Sequence, residues 1–354
     1  MWPRTDFFEL LGITHPIVQA PMAGLTPPEL AAAVCNAGGL GSIGCVGLSP
    51  AALRDQVSTL RQATNRPYNL NFFVHAQPQL DAAAAARMRA RLGSYFGEFG
   101  LGPVPEPKEP FSPFDEEILV VVLEQRPRVV SFHFGLPNPS AVRRIKEAGC
   151  LIFSSATTVA EARALEAGGA DLVIAQGYEA GGHRGSFSDS PGAGFVGTMA
   201  LVPQIVDAVR VPVIAAGGIA DGRGVAAAFA LGASGAQLGT AFLGCSEATV
   251  SPLHRAQLRS AADDRTELTR AFTGRPARAL RNRFITEMAD AEPLGFPLQA
   301  SLVGPLRQLP SEEARAAFTP FWAGQAAPLI KEMPAGELVE QLVREAQSIL
   351  GASA

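Results

Sequence analysis

The sequence predicts an α/β fold, a (β/α)8 TIM barrel with an insertion after its third strand and a C-terminal helical addition. Two observations support this prediction. Eight short apolar segments rich in β-branched residues alternate with helix-forming segments, and strict alternation of this kind is typical of a parallel sheet. The alternation extends over about 225 residues, the usual length of such a barrel. An open, doubly wound sheet is the alternative architecture.

The predicted strands are short and continuously apolar, as strands buried on both faces are. They are the segments 16–20, 40–44, 68–74, 128–133, 150–154, 171–175, 211–216 and 235–239. Helix formers occupy the intervening segments 29–37, 50–63, 115–124, 138–148, 158–167, 199–209 and 221–231. The first helix shows the signals that bound them, because its alanine-rich run begins near a proline pair and stops at Gly38-Gly39.

The alternation breaks after the third strand. Residues 79–92 predict a helix, whereas residues 93–114 are rich in glycine, proline and phenylalanine and favour a loop over the barrel rim. We therefore divide the chain into a barrel of residues 1–245, with an insertion at about 76–114, and a C-terminal region of residues 246–354. Helical patterns at 247–261, 310–325 and 336–350 predict a mainly helical region that packs partly over the barrel mouth.

The composition restricts the classes of partner. The chain has 354 residues, of which 47% are hydrophobic and 18% charged, and its formal net charge is −4. Nucleic acids and anionic membranes are therefore poor candidate partners. A run of about 18 apolar residues and a signal-peptide pattern are both missing, so we expect a cytoplasmic protein. Homo-oligomerisation stays open.

Neither metal nor disulfide chemistry is indicated. Four cysteines lie without C-x-x-C spacing, which predicts reduced and mostly buried thiols. The spacing of His, Cys, Asp and Glu resembles no metal site. The sequence also lacks the G-x-S-x-G elbow, the G-x-x-x-x-G-K-[ST] phosphate loop and a G-x-G-x-x-G motif after the first strand. A nucleoside triphosphate or a Rossmann-bound dinucleotide is therefore not indicated.

Residues 175–185 (AQGYEAGGHRG) form the most informative stretch, because an apolar strand ends there in a glycine-rich loop that presents His183. Glycine lets a ligand approach the backbone closely, and loops at strand ends often carry function. An imidazole titrates near neutral pH and can act as a base or as a cation. His183 is therefore the candidate catalytic residue, and a satisfied surface histidine is the alternative.

In a barrel, the C-terminal ends of all strands meet on one face. The residues expected to converge there are Met22, Asn71, His133, Gln176, His183, Gly217, Gly218, Gly239 and Thr240. The two glycine loops after the seventh and eighth strands predict a phosphate site, built from backbone N–H groups, the Thr240 hydroxyl and a following helix N-terminus. His133 is either catalytic or a core histidine, and the Asn71 amide suits the edge of a flavin or nucleotide.

Five segments together resemble one enzyme family. They are residues 19–24 (QAPMAG), 69–73 (NLNFF), 131–135 (SFHFG), 176–185 (QGYEAGGHRG) and 215–219 (AAGGI). The sequence is similar in them to class I nitronate monooxygenases, formerly called 2-nitropropane dioxygenases, which are FMN-dependent barrel enzymes. The resemblance implies that His183 is catalytic and that His133 stands near it. It also implies FMN contacts from Pro21, Met22, Ala23, Asn71, Gln176, Gly181, Gly217, Gly218, Gln237, Leu238, Gly239 and Thr240.

The activity that the resemblance implies is the detoxifying oxidation of alkyl nitronates such as propionate 3-nitronate. Oxygen is the oxidant, the products are an aldehyde-type carbonyl compound with nitrite and nitrate, and no reduced nicotinamide is used. We expect Arg184, or a residue of the phenylalanine-rich insertion, to bind the carboxylate of this substrate. His183 could act as a base or stabilise an anion.

Two alternatives to this function stay open. Residues 274–278 (GRPAR) are similar to a segment of flavin-dependent enoyl reductases, so an NAD(P)H-dependent FMN reductase, acting on enoyl or quinone substrates, is the enzymatic rival. A barrel that binds a phosphate ligand without turnover is the non-catalytic one. The loop from Glu179 to Gly185 favours the nitronate hypothesis.

Overall fold

The structure is a computed structural model and describes residues 2–187 and 194–351. Its strands are β1 (Ile17–Gln19), β2 (Gly41–Gly44), β3 (Tyr68–Phe73), β4 (Val129–His133), β5 (Leu151–Ala156), β6 (Leu172–Gln176), β7 (Gly182–His183), β8 (Val213–Ala216), β9 (Gly235–Leu238), β10 (Thr266–Thr269) and β11 (Ala277–Leu280). Each of the eight predicted barrel strands overlaps one of these.

The barrel sheet contains eight parallel strands in the order β1-β9-β8-β6-β5-β4-β3-β2. A parallel bridge between Val18 and Leu40 joins its two edges, and the Gln19 N–H donates to the Leu40 carbonyl at 3.0 Å. The sheet is thus nearly closed. This confirms the predicted TIM barrel and makes the open, doubly wound alternative wrong. β6 is buried along its whole length, as strands of a parallel sheet covered on both faces are.

The helices lie between and around these strands. They are α1 (Asp6–Leu11), α2 (Pro28–Asn36), α3 (Pro50–Ala63), α4 (Ala82–Glu98), α5 (Glu116–Gln125), α6 (Pro139–Glu147), α7 (Val159–Ala167), α8 (Thr198–Val206), α9 (Gly222–Ala230), α10 (Pro252–Arg259), α11 (Arg283–Glu287), α12 (Leu298–Val303), α13 (Glu312–Phe318) and α14 (Ala335–Gly351). Side-chain caps fix many starts; Ser49, Asn138 and Thr158, for example, each accept a backbone N–H of the first turn.

The insertion and the C-terminal region share one hydrophobic cluster. Tyr95 and Phe96 of α4 are buried in it together with Phe272, Phe284 and Phe318. The predicted helix over residues 79–92 is observed as α4 and continues to Glu98, because burial of this aromatic pair outweighs the helix-weakening glycines at 93 and 97. The insertion is therefore anchored to the C-terminal region.

The C-terminal region contains the predicted helices together with a small antiparallel sheet that the helical patterns do not predict. Strands β10 and β11 pair with each other, and β11 also pairs with β7, with Ala277 opposite His183. The predicted helix over 247–261 begins only at Pro252, and that over 310–325 is limited to α13. The last helix, α14, packs on α9 and α2 of the barrel.

One sequence expectation about chemistry, that of buried and reduced thiols, agrees with the described residues. All four cysteines are buried and free. Residues 2–187 and 194–351 contain no group of three His, Cys, Asp or Glu side chains that could hold a metal ion. Within the same ranges, the helices are all too short or too polar to cross a bilayer.

Candidate active site

A cavity of about 290 Å³ lies at the C-terminal ends of the barrel strands. Its lining includes Pro21, Met22, Ala23, Asn71, His133, Gln176, Gly181, His183, Gly217, Gly218, Gln237, Gly239 and Thr240. The structure thus brings together nearly all the predicted site residues from segments far apart in sequence. Their common position just at or beyond strand ends is the reason, since parallel strands of a barrel end on one face.

Leu238 and Arg184 do not line this cavity. Leu238 is the last residue of β9, pairs with Gln19 and is buried in the barrel core. The alternation of side chains along β9 explains this, because Gln237 and Gly239 reach the cavity and the residue between them points away. The predicted FMN contact of the Leu238 side chain therefore finds no support in this geometry.

Arg184 is turned away from the cavity and is 1% exposed. Its guanidinium donates hydrogen bonds to the carbonyls of Gln176 (3.0 Å), Gly177 and Gly194 (2.6 Å). Burial lowers the pKa of Arg184 to about 10, so the group stays charged at neutral pH. The expectation that it binds a substrate carboxylate finds no support in this geometry, because its terminal N–H groups hold the backbone on both sides of the His183 loop.

Gln176 also organises this loop. Its amide nitrogen donates to the His183 carbonyl at 3.0 Å, and its oxygen accepts the Gly185 N–H at 2.7 Å. Although Gln176 lines the cavity, both ends of its amide are thus occupied by protein. Its side chain positions His183, and this leaves little capacity for the predicted contact with a cofactor.

His133 has a defined hydrogen-bonding state. Its Nε2 lies 3.0 Å from the His183 carbonyl, which can only accept, so Nε2 carries the hydrogen. Its Nδ1 then accepts the Ser155 hydroxyl at 3.1 Å. Burial lowers the pKa of His133 to about 4, and the Arg275 and Arg184 charges act in the same direction. His133 is therefore neutral near pH 7, and its hydrogen bond holds the backbone of His183 in place.

The His183 ring is hydrogen-bonded to the C-terminal region. Its Nε2 lies 3.1 Å from the Thr273 hydroxyl, which in turn donates to the Arg275 carbonyl at 3.3 Å. Both contacts are satisfied when Nε2 carries a hydrogen, and Nδ1 is then an acceptor with no partner among the described residues. Burial lowers the pKa of His183 to about 3, and the Arg275 charge acts in the same direction.

Aromatic side chains enclose the His183 ring. The ring centroids of Phe73 and Trp322, which both line the cavity, lie 5.8 and 5.6 Å from it. The Phe296 ring, which does not line the cavity, also packs against His183 with a centroid distance of 5.3 Å. Trp322 and Phe296 belong to the C-terminal region, so this region completes the pocket wall.

His75 lies next to this aromatic group, a setting that its sequence context does not indicate. The ring is 5% exposed and packs edge-on against Phe111 and Phe296. Neither ring nitrogen has a hydrogen-bond partner among the described residues. Burial and the Arg275 charge lower the pKa of His75 to about 4, so this ring too is neutral.

Two amides at strand ends present oxygen acceptors to the cavity. Asn71 donates to the Ser131 hydroxyl at 2.9 Å and to its carbonyl at 3.3 Å, which leaves Asn71 Oδ1 without a partner in the described part of the chain. The Oε1 of Gln237 is buried and likewise unpartnered there. A buried acceptor without a donor is costly, so Gln237 Oε1 fits a ligand that brings an N–H group, as a flavin ring does, and Asn71 Oδ1 can accept from the same ligand.

The glycine loops after β8 and β9 can receive a compact anion. Gly217 and Gly218 have φ values of +105° and +73°, and a Cβ on Gly217 would lie 3.1 Å from the Ala180 nitrogen. Thr240 Oγ1 accepts the Gly324 N–H at 2.9 Å, so its own hydrogen can be donated to a ligand. Exposed backbone and a hydroxyl of this kind are typical of phosphate sites without lysine.

The N-terminus of α9, the helix that follows the first of these loops, is occupied by other groups of the chain. The Gly222 N–H donates to Glu345 of α14 at 2.9 Å, and Asp221 accepts the Arg223 N–H at 3.0 Å. Carboxylates from the chain itself therefore occupy the positive end of this helix.

Several cavity residues are not among the predicted ones, and only some have a sequence signal. Ser155 follows the predicted fifth strand directly, so the strand-end rule would include it. Glu179 lines the cavity and lies in the glycine-rich loop. Trp322 and Gly324 come from an irregular C-terminal segment, and no local pattern points to them.

Comparison with known proteins places this site in a family. The family model described as nitronate monooxygenase matches residues 4–345. A curated nitronate monooxygenase of Paraburkholderia phytofirmans is 43% identical over 341 residues, covering 95% of this chain and 93% of the relative.

Two solved structures extend the comparison. A nitroalkane oxidase from Streptomyces ansochromogenes superimposes with a TM-score of 0.89 at 41% identity, covering 98% of this chain and 99% of that one. FabK from Thermotoga maritima is more distant, with a TM-score of 0.77 at 34% identity, covering 99% of this chain and 98% of that one. The barrel, the cavity at its strand ends and these matches agree, and the chain belongs to the nitronate monooxygenase family of flavin-dependent monooxygenases.

Proposed function

We propose that this enzyme binds FMN and uses oxygen to oxidise alkyl nitronates to a carbonyl product with nitrite and nitrate, without a reduced nicotinamide. One observation carries the proposal: a neutral, firmly held His183 stands in an aromatic pocket that is continuous with acceptors and glycine loops suited to FMN. A detoxifying role and a cytoplasmic location remain predictions that accompany this proposal.

The residues that would hold FMN divide into two groups. Asn71 and Gln237 offer acceptors to the ring edge, and Gly217, Gly218 and Thr240 offer donors to the phosphate. Bound FMN supplies the electron transfer between a nitronate and oxygen. The orientation of the flavin by the two amides would leave the His183 side of the cavity to the substrate.

The role of His183 follows from its open acceptor, Nδ1. A nitronate is an anion, and an anion beside a neutral imidazole raises the imidazole pKa. Nδ1 can therefore take a proton from solvent as the nitronate enters and then donate it in a hydrogen bond to the substrate. A pKa of about 3 in the empty pocket makes His183 a weak base toward a neutral nitroalkane carbon, which favours substrates that arrive already deprotonated.

The surrounding protein keeps water away from this step. Phe73 and Trp322 cover the His183 ring, while His133 and Gln176 both donate to its backbone carbonyl. Together with the ring contact to Thr273, these make three hydrogen bonds that fix the histidine before substrate binds, so little ordering remains at binding.

The decisive experiment measures oxygen uptake by the FMN-loaded enzyme with propyl-1-nitronate in the absence of NADH and NADPH. We expect rapid uptake, and a loss of at least about a hundredfold in kcat/KM for His183→Asn, the lower end of what a proton-transfer group contributes. His254→Asn is the matched control, because His254 is also buried but does not line the cavity. It should keep kcat/KM within about threefold.

Three outcomes would overturn the proposal. Uptake that requires NADH or NADPH would support the reductase alternative, to which the likeness with FabK would then lend weight. A yellow, FMN-loaded protein that shows no oxygen uptake with any of the nitronates tested would also contradict it. A protein that cannot be loaded with FMN would favour the non-catalytic binding barrel.

A further inference from the structure

The substrate side of the cavity is walled by aromatic rings. Phe73, Phe111 and Trp322 line it, and Phe134 and Phe296 pack behind them, with ring centroids 4.7 and 6.2 Å from that of Phe73. Rings in this arrangement exclude water and offer apolar surface to whatever lies beside His183. The tail of a substrate therefore meets hydrocarbon here.

The charged groups near this wall are not placed to bind a carboxylate: one is itself a carboxylate, and the nearby arginines donate to backbone carbonyls. Glu179 is the only Asp, Glu, Lys or Arg that lines the cavity in the described part of the chain. Its carboxylate accepts the Thr198 N–H at 2.9 Å and the Thr198 hydroxyl at 2.8 Å. The residues outside the described ranges, 1, 188–193 and 352–354, include no lysine or arginine.

The buried arginines around the pocket are committed elsewhere. Arg184 holds backbone carbonyls, as described above. Arg275 donates to the Ser186 carbonyl and stacks its guanidinium 3.8 Å above the centre of the Phe134 ring. Arg278 donates to the Tyr178 carbonyl at 3.1 Å. In the insertion segment 93–114, Lys108 is the only basic residue, and it is exposed and does not line the cavity.

From this arrangement we propose that the pocket selects nitronates with an uncharged, apolar tail over nitronates whose tail ends in a carboxylate, such as propionate 3-nitronate. This inference rests on the proposed function. Every nitronate brings one negative charge to His183, so the second charge is what distinguishes the two classes. A carboxylate placed among these rings would lose its water without direct contact to a cation, because no lysine or arginine of the described residues lines the cavity.

The test compares two substrates of nearly equal shape. Propionate 3-nitronate and 3-methylbutyl-1-nitronate differ in that an isopropyl group replaces the carboxylate. Oxygen uptake by the FMN-loaded enzyme should give a kcat/KM at least about tenfold higher for the apolar substrate, with the difference mainly in KM. The nitronate of methyl 3-nitropropanoate, in which the carboxylate is esterified, should resemble the apolar substrate.

A pair of variants then tests the role of the wall. Phe111→Lys adds a cation at a half-buried position in the cavity lining and should reduce the preference for the apolar substrate at least about fivefold. Phe195→Lys is the matched control, since Phe195 packs on Tyr178 with 42% of its surface exposed and does not line the cavity. It should leave the preference unchanged.

The outcomes separate the two proposals. Equal or better use of propionate 3-nitronate by the wild-type enzyme would overturn this inference and leave the nitronate activity intact. A wild-type preference that Phe111→Lys and Phe195→Lys alter equally would also overturn it, because the effect would then be one of net charge. Failure to consume oxygen with any nitronate would overturn the proposed function and this inference with it.

Discussion

At the scale of single residues, the most consequential feature is the fixed hydrogen bonding of His183. Its carbonyl receives one hydrogen bond from His133 and another from Gln176. Its ring is bonded to Thr273, a residue 90 positions later in the chain. Because Thr273 passes its own hydrogen to the Arg275 carbonyl, it selects the imidazole tautomer that leaves Nδ1 as the acceptor in the cavity.

Replacing Thr273 tests this assignment. Thr273→Val removes the hydroxyl at nearly constant shape, so both tautomers of His183 should become populated and kcat/KM for propyl-1-nitronate should fall about tenfold. Thr273→Ser keeps the hydroxyl and should stay within about threefold of the wild type. Long-range ¹⁵N–¹H spectra of the histidine rings read the tautomer directly. A Thr273→Val protein in which His183 still carries its hydrogen only on Nε2 would refute the role of Thr273.

At the scale of elements, the loop between β6 and β7 is held against the C-terminal region by backbone contact. A Cβ on Gly181 would lie 2.5 Å from the Gly324 nitrogen and 2.6 Å from the Ala323 carbonyl carbon. A Cβ on Gly182 would meet nothing within 4 Å, although its φ of +71° favours glycine. Glycine is therefore required at the two positions for different reasons: close packing at Gly181 and a left-handed backbone conformation at Gly182.

Alanine substitutions separate these reasons. Gly182→Ala should lower the free energy of unfolding by only about 1 kcal/mol, because it places a non-glycine residue in the left-handed conformation. Gly181→Ala forces the segment around Gly324 away from the loop, and Gly324 donates to Thr240 at the anion site. It should therefore weaken FMN retention at least about tenfold, measured as the flavin dissociation constant. Equal FMN affinity in the two variants would show that the loop does not depend on this close contact.

At the scale of the whole molecule, buried neutral histidines make stability depend on pH. His75 and His254 are each 5% exposed, and burial lowers the pKa of each to about 4. In the unfolded chain these groups titrate near 6.5. The unfolded state therefore binds more protons between pH 6.5 and 4, and the free energy of unfolding falls as the pH falls through this window.

Urea unfolding at fixed FMN concentration checks this expectation. Between pH 7 and pH 5, His75 and His254 should each remove on the order of 1–2 kcal/mol of stability. His254→Asn should lose correspondingly less stability over this interval than the wild type, because one buried titrating group is gone. The same pH dependence in both proteins would mean that His254 takes up its proton equally in the folded and unfolded states.

The sequence by itself determines the barrel and most of the cavity. Strand positions are readable because a strand buried on both faces must be a short apolar run, and β6 and β8 are runs of that kind. The convergence of Asn71, His183 and Gln237 is readable because all parallel strands end on one face. Both inferences need only the periodicity of a local segment.

Only the tertiary structure decides where a side chain points and what reaches the site from far along the chain. Arg184 follows the candidate histidine directly, yet its guanidinium turns inward to backbone carbonyls that the folded loop brings near it. Thr273 and Trp322 reach His183 from the C-terminal region, where no strand-end rule applies. Such contacts depend on packing between elements far apart in sequence, and a local pattern carries no information about them.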